Sequence, residues 1–190
     1  MKLNLIFLVC IFALNVCSVQ IQQRPQSDAS VQVQQKPQFD ASVLSEMGRK
    51  SYGKLLNADI FSIGKVGEGG NTSEEELALH RLLKEKQAVE ALVTLADQAT
   101  SEGALYALLG LRLKDTNLFR SAVEKYKSLP EPPERNGAIV KEIKIPKGYV
   151  QTQSGCKIGA EERLKVVAQI EAGVFDETFK LSEDEAADSK

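Results

Sequence analysis

Apolar residues between positions 73 and 126 recur with the period of about 3.6 residues that is typical of helices with one buried face. Four consecutive helices are predicted here. Ser73 and Glu76 form a capping box for the first helix, Thr100 and Ser101 cap the third, and Asp115 or Thr116 opens the fourth. The predicted apolar faces are Leu77, Leu79, Leu82 and Leu83; Ala88, Val89, Leu92, Val93, Leu95 and Ala96; Leu105, Tyr106, Leu108, Leu109, Leu111 and Leu113; and Leu118, Phe119, Ala122, Val123 and Tyr126.

The third of these helices differs from the others because its apolar residues surround it almost completely. This pattern predicts a central helix that packs on several sides. Leu44 to Ile63 also has moderate helical spacing. Pro130, Pro132 and Pro133 end the fourth helix, because proline lacks the N–H that a helix interior needs.

After the prolines the pattern changes to β-branched residues, and a small hairpin is predicted near residues 138 to 153 with its turn at Pro146–Gly148. An extended covering segment is the alternative. Gly159 to Gly173 is predicted to be helical, with Gly173 as a left-handed C-cap. The predicted fold class is therefore mostly α: a compact bundle of about five helices with a short β hairpin near the C-terminal third.

The first eighteen residues predict export. Met1 and Lys2 precede an uncharged apolar run from Leu5 to Leu14. That run has the length of a signal-peptide core and is shorter than the roughly 20 residues of a membrane-spanning helix. We expect cleavage near Val19 and an extracytoplasmic location, secreted or periplasmic. A lipid anchor at Cys17 is a less favoured alternative, because Val16 is larger than the residue that usually precedes a lipidated cysteine.

Residues 19–43 contain a duplicated segment of twelve residues, VQIQQRPQSDAS and VQVQQKPQFDAS, with nine identical positions. The segment has too little apolar mass to offset the cost of ordering it, so we expect a disordered spacer. A short binding motif in two copies is the alternative interpretation. The predicted organisation is a signal peptide at 1–18, the spacer at 19–43, a helical domain at 44–177 and an acidic frayed tail at 178–190.

Loss of the signal peptide would remove Cys10 and Cys17 and leave Cys156 as the single cysteine. No disulfide within the mature chain is then expected. Cys156 is a small buried hydrophobe, a link to another chain, or a reactive thiol at the start of a helix. The favoured interpretation is a packed thiol beneath the central helix.

Composition excludes few function classes. The net charge is −2 and aromatic residues make up 6% of the chain, so nucleic acid and anionic membrane surfaces are poor candidate partners.

The glycines at 67–70 do not match a phosphate-binding loop. His80 is the single histidine and is predicted to be a solvated or semi-buried helix residue. Glu74, Glu75 and Glu76 are interpreted as capping charge, and no catalytic, cofactor-binding or metal-binding residue is assigned.

Asn71-Thr72-Ser73 matches the N-glycosylation acceptor pattern, and its position in a glycine-rich turn predicts that Asn71 is exposed. The modification requires a eukaryotic secretory pathway. It therefore stays conditional on the source of the chain.

Three segments, IGKVGEGGNTSEEE, SEGALYALLGLRLKDTNLF and the later SGC, resemble an uncharacterised family of secreted bacterial proteins over about Phe61 to Phe175. Ser101-Glu102-Gly103 departs from the Ala-Gly or Pro-Ala-Gly expected there. The family has no established activity, so the resemblance implies no functional residue. EALVTLADQATSEGALYALLGLRL is also similar to a HEAT-type helical hairpin, but no second copy is present.

Two functional hypotheses follow. The first is a non-enzymatic, extracytoplasmic interaction or structural domain that uses a helix face or the hairpin edge to bind a protein partner. The second is a thiol-dependent enzyme or redox protein centred on Cys156. A weaker third hypothesis is a carrier of small ligands with an apolar pocket around Tyr106. The sequence leaves the oligomeric state open.

Overall fold

The computed structural model describes residues 39–180. The predicted signal peptide, the alternative lipid site at Cys17, nearly all of the duplicated repeat and the last ten residues of the predicted tail lie outside this range.

The described residues form an α-rich fold with three small antiparallel strand pairs, β1 with β2, β3 with β4 and β5 with β6. The helices are α1 (Glu46–Leu56), α2 (Glu74–Leu83), α3 (Ala88–Gln98), α4 (Ser101–Lys114), α5 (Thr116–Ser128) and α6 (Arg163–Glu171), with a 3-10 turn at Ala41–Val43. The strands are β1 (Lys65–Val66), β2 (Asn71–Thr72), β3 (Arg135–Asn136), β4 (Lys144–Ile145), β5 (Tyr149–Ser154) and β6 (Lys157–Glu162). The predicted mostly α class is confirmed, but the helices in residues 39–180 outnumber five. The weakly periodic segment after Leu44 contains α1, and the end of the predicted spacer forms the 3-10 turn.

Helix α4 is the centre of the core. It contacts α1, α2, α3, α5 and α6, and every residue from Glu102 to Leu111 is buried. Gly103 and Gly110 let neighbouring chains approach closely: a Cβ on Gly110 would lie 2.8 Å from Leu92 Cδ2. The predicted central helix is therefore confirmed, and its all-round apolar pattern follows from its five helical neighbours.

The predicted helix caps are also present. Ser73 Oγ accepts the Glu76 N–H at 3.1 Å, and Thr100 Oγ1 accepts the Gly103 N–H at 3.1 Å. Asp115 accepts two N–H groups at the start of α5. These bonds satisfy donors that a helix N-terminus otherwise leaves unpaired.

The predicted hairpin at 138–153 is wrong. The Pro146–Gly148 turn connects β4 to β5, which belong to different strand pairs, and the true hairpin is β5–β6 with Gly155 in its turn at φ +57°. A positive φ suits the short turn that joins two antiparallel strands. The predicted helix from Gly159 also begins later, at Arg163, because the preceding residues pair with β5.

The core extends beyond both expected domain boundaries. The ring of Phe39 packs against that of Tyr52, with centroids 5.6 Å apart, although residue 39 lies in the predicted spacer. Phe179 lies in the predicted tail, yet it is 1% exposed and residues 176–180 are helical. The boundaries at 44 and 177 therefore fall inside the fold. No helix within residues 39–180 is both long and apolar enough to span a membrane.

Candidate functional site

Cys156 is exposed in the β5–β6 turn, so the prediction of a packed thiol beneath the central helix is wrong. The error has a structural cause. The sequence placed Cys156 just before a helix, whereas the next six residues form β6 and α6 begins only at Arg163. The thiol therefore does not lie at a helix N-terminus, and no described residue hydrogen-bonds to it.

His80 is 2% exposed, which contradicts the expectation of a solvated or semi-buried residue. Its ring stacks on that of Phe179 with centroids 3.8 Å apart, and its Nε2 lies 3.8 Å from Glu76 Oε1. The residue that covers it comes from beyond the expected domain boundary, so the sequence pattern around His80 could not reveal its burial.

The three consecutive glutamates have three different environments. Glu74 is exposed at the start of α2. Glu75 pairs with Lys54 of α1 at 2.9 Å, and its hydrogen bond raises the pKa of Lys54. Glu76 is fully buried and accepts the Gly64 N–H at 2.7 Å. The side chains diverge as consecutive helix positions should, and Glu76 anchors the preceding loop in addition to its place in the capping box.

Tyr106, the centre of the hypothetical small-ligand pocket, is fully buried. Its hydroxyl accepts the Ser62 N–H at 2.8 Å and donates to the Ser62 carbonyl at 3.0 Å, and burial raises its pKa. The ring packs on that of Phe61 with centroids 4.9 Å apart. Tyr106 therefore connects α4 to the loop before β1.

Glu102 anchors the β5–β6 hairpin to α4, a role that sequence reasoning missed. It is 2% exposed, accepts the Gln151 N–H at 2.8 Å and forms an ion pair with Arg135. Burial raises its pKa, although the Gln151 N–H and Arg135 oppose that shift. In the sequence Glu102 resembles an ordinary acidic residue in the first turn of a helix, and only the neighbours from β3 and β5 distinguish it.

Arg163 fixes the base of the hairpin, where α6 begins. Its guanidinium lies 5.0 Å from the centre of the Tyr126 ring and donates to the carbonyls of Leu129 and Pro130. Its backbone N–H donates to the Gly148 carbonyl at 3.0 Å. The buried charges of this region therefore hold the hairpin base against the helices.

The hairpin has one covered edge and one open edge. On the covered side, the Phe61 N–H donates to the Gln151 carbonyl at 2.9 Å and the Gln153 N–H donates to the Phe61 carbonyl at 3.1 Å. In an antiparallel pair of strands, two directly opposed residues either both point their N–H and C=O groups toward the other strand or both point them away from it. Gln151 and Gln153 oppose Ala160 and Ile158, whose N–H and C=O groups therefore point away from β5. Within residues 39–180, no group hydrogen-bonds to them.

A cleft of about 210 Å³ lies between the inner face of the hairpin and α6. Phe61, Val166 and Phe175 form apolar walls, and Glu161 lines it from β6. A Cβ on Gly159, next to Glu161 on the same strand, would have no atom within 4 Å. There is therefore open space beside β6 at Gly159.

Asn71 is exposed at the start of β2, as the sequence predicts. Its glycosylation stays a prediction.

No protein-family model, curated protein or solved structure matches the chain.

Proposed function

We propose that this protein is a non-enzymatic, extracytoplasmic interaction domain whose binding surface is the open edge of β6. The observation that carries the proposal is the pair of outward backbone positions at Ile158 and Ala160. An unpaired strand edge offers N–H and C=O groups to an added strand, and natural proteins usually block such edges with proline, lysine or a covering element. β6 has no proline, and its one lysine, Lys157, lies at its end.

The rigid support of this edge favours binding. Glu102 holds β5 through the Gln151 N–H, Phe61 covers the outer side of β5, and Arg163 holds the hairpin base. An incoming strand would therefore meet an edge that is already ordered, which lowers the entropic cost of association. The buried side chains of Glu76, Tyr106, Glu102 and Arg163 bond to backbone groups, which is a structural use.

Affinity capture from envelope and medium extracts tests the proposal. The bait is the full chain, compared with Ala160→Pro and with Ala160→Ser. Proline removes the outward N–H of residue 160 but leaves the β5–β6 ladder intact, whereas serine keeps that N–H. We expect partners that the wild-type and serine baits retain and the proline bait loses. Equal capture by all three baits would show that the edge is not the binding surface.

The exposed thiol of Cys156 favours the alternative, a thiol-dependent enzyme or redox protein. Because the thiol is exposed, rapid labelling is expected under either hypothesis and does not separate them. A Cys156→Ser variant does: the interaction domain would keep its partners and the thiol enzyme would lose its function.

A further inference from the structure

We propose that the occupant of the β6 edge is a second copy of this chain, with the two β6 strands antiparallel about a twofold axis at Gly159. This inference rests on the proposed function, because it assumes that the edge is the binding surface. It adds the partner and the register.

The backbone of β6 is compatible with this symmetry. With the axis at Gly159, Ile158 of one chain lies opposite Ala160 of the other. Both are among the β6 residues whose N–H and C=O groups point outward. Each Ile158–Ala160 pair can exchange both of its hydrogen bonds, so the interface would contain four backbone bonds. A twofold interface uses the same patch on both chains, as this register does.

The charges of β6 select this register. The axis at Gly159 places Lys157 of each chain opposite Glu161 of the other, with both side chains on the cleft face of the sheet. Opposite charges directly across two strands stabilise the pairing. Moving the axis to Ala160 would instead place Lys157 opposite Arg163, where β6 has ended and the buried guanidinium already binds the Leu129 and Pro130 carbonyls. The Lys157–Glu161 pair would then be lost. Among residues 39–180, the ion-pair partner of Glu161 is Lys165 at 3.6 Å, and the same Oε2 atom is buried without a hydrogen bond.

The centre of the interface has room for close approach. The two copies of Gly159 would face each other at a non-hydrogen-bonded pair, where Cα atoms come within about 4.5 Å. A Cβ on Gly159 would have no atom within 4 Å, and the neighbouring residue, Ala160, has only a methyl side chain. Six residues per chain bury less surface than the roughly 1,200–2,000 Å² of a standard stable interface, so we expect a weak dimer with a dissociation constant on the order of micromolar or above.

Sedimentation equilibrium of the full chain tests this inference, with a reductant present and Cys156→Ser as a control against disulfide dimers. Protein concentration is varied from about 1 μM to 1 mM, the range in which weak dimers form. We expect a monomer–dimer equilibrium. Lys157→Glu and Glu161→Lys alone should each weaken the dimer roughly 5-fold or more, and the double variant should recover most of that loss.

Ala160→Pro should abolish the dimer while Ala160→Ser retains it, and circular dichroism checks that each variant is folded. A chain that stays monomeric at the highest concentration would overturn the inference, as would a dimer insensitive to both the proline and the charge exchange. A monomer that still captures partners only with an intact Ala160 N–H would refute the second copy and leave the proposed function standing. A monomer whose capture is unaffected would refute both.

Discussion

Helix α4 and the β5–β6 hairpin contain the same kinds of residue in opposite environments. Gly103 of α4 is so enclosed that an added Cβ would collide with the Leu55 carbonyl, whereas Gly159 of the hairpin has nothing within 4 Å. Tyr106 uses its hydroxyl twice in the core, whereas Tyr149 is half-buried at the start of β5. The helix is surrounded by other elements, and the hairpin is held along one edge and left open along the other.

This difference separates stability from binding. A buried element contributes apolar area and close packing, so changes to it should alter the free energy of unfolding. An element with an open edge contributes less buried apolar area, so changes to it should lower the free energy of unfolding by a smaller amount. Paired substitutions, one in each region, test that division.

The largest expected difference concerns apolar packing. Leu109→Ala removes a fully buried side chain of α4 and should lower the free energy of unfolding by about 2–5 kcal/mol, because it leaves a cavity. Ile158→Ala in β6 removes a half-buried side chain and should cost less than about 2 kcal/mol. Urea unfolding at low protein concentration measures both, and equal losses would contradict the division.

The glycine pair comes next and should differ in sign. Gly103→Ala forces a Cβ against the Leu55 carbonyl and should destabilise the fold by about 1–3 kcal/mol or more. Gly159→Ala meets open space and should stabilise β6 by up to about 1 kcal/mol, because alanine loses less backbone entropy. Thermal unfolding of the two variants gives the comparison. A stabilised Gly103→Ala would mean that α1 and α4 separate at little cost.

The tyrosine pair tests buried hydrogen bonding. Tyr106→Phe leaves the buried Ser62 N–H without its partner, while the Ser62 carbonyl keeps the Ser73 hydroxyl at 3.3 Å, and the change should cost about 1–3 kcal/mol. The Tyr149 hydroxyl makes no hydrogen bond with any described residue, so Tyr149→Phe should change stability by less than about 0.5 kcal/mol. Guanidinium unfolding measures both, and a neutral Tyr106→Phe would show that Ser62 finds other partners.

The smallest expected effect is a pH dependence. Burial raises the pKa of Glu102 above its ordinary 4.5, so the folded state binds this proton more tightly than the unfolded state does. The free energy of unfolding should therefore fall as pH rises from 4.5 through the raised pKa, and Glu102→Gln should lack this component.

Unfolding of wild type and Glu102→Gln is measured across that pH range. The free energy of unfolding of wild type minus that of Glu102→Gln should fall as pH rises. Glu162→Gln removes an exposed carboxylate of the hairpin and serves as the control. A constant difference between wild type and Glu102→Gln would show that Arg135 and the Gln151 N–H fully offset the burial of Glu102.

The same division explains which predictions from the sequence succeeded. The helix caps at Ser73, Thr100 and Asp115 were predictable because capping depends on residues within one turn. The central position of α4 was predictable from its all-round apolar pattern. The hairpin was misplaced because Ile139 to Ile145 is as β-branched as a strand, while Lys157–Glu162 contains residues that also suit a helix.

The candidate surface was predicted only in outline. A hairpin edge was among the expected binding surfaces, but the edge itself depends on which strand Phe61 covers, and Phe61 is about ninety residues away in sequence. The burial of His80 and Glu102 likewise depends on Phe179 and Gln151, which are distant in the chain. Local periodicity contains no information about such contacts.

The sequence by itself determined the α-rich class, the starts of α2, α4 and α5, and the central helix, because propensity, capping and amphipathic period act over a few residues. Only the tertiary structure decided the strand pairing, the exposure of Cys156, the burial of His80 and Glu102, and the open edge of β6. The physical reason is that strand partners and buried charges are selected by the free energy of contacts between distant segments, which outweighs local preference wherever that preference is weak.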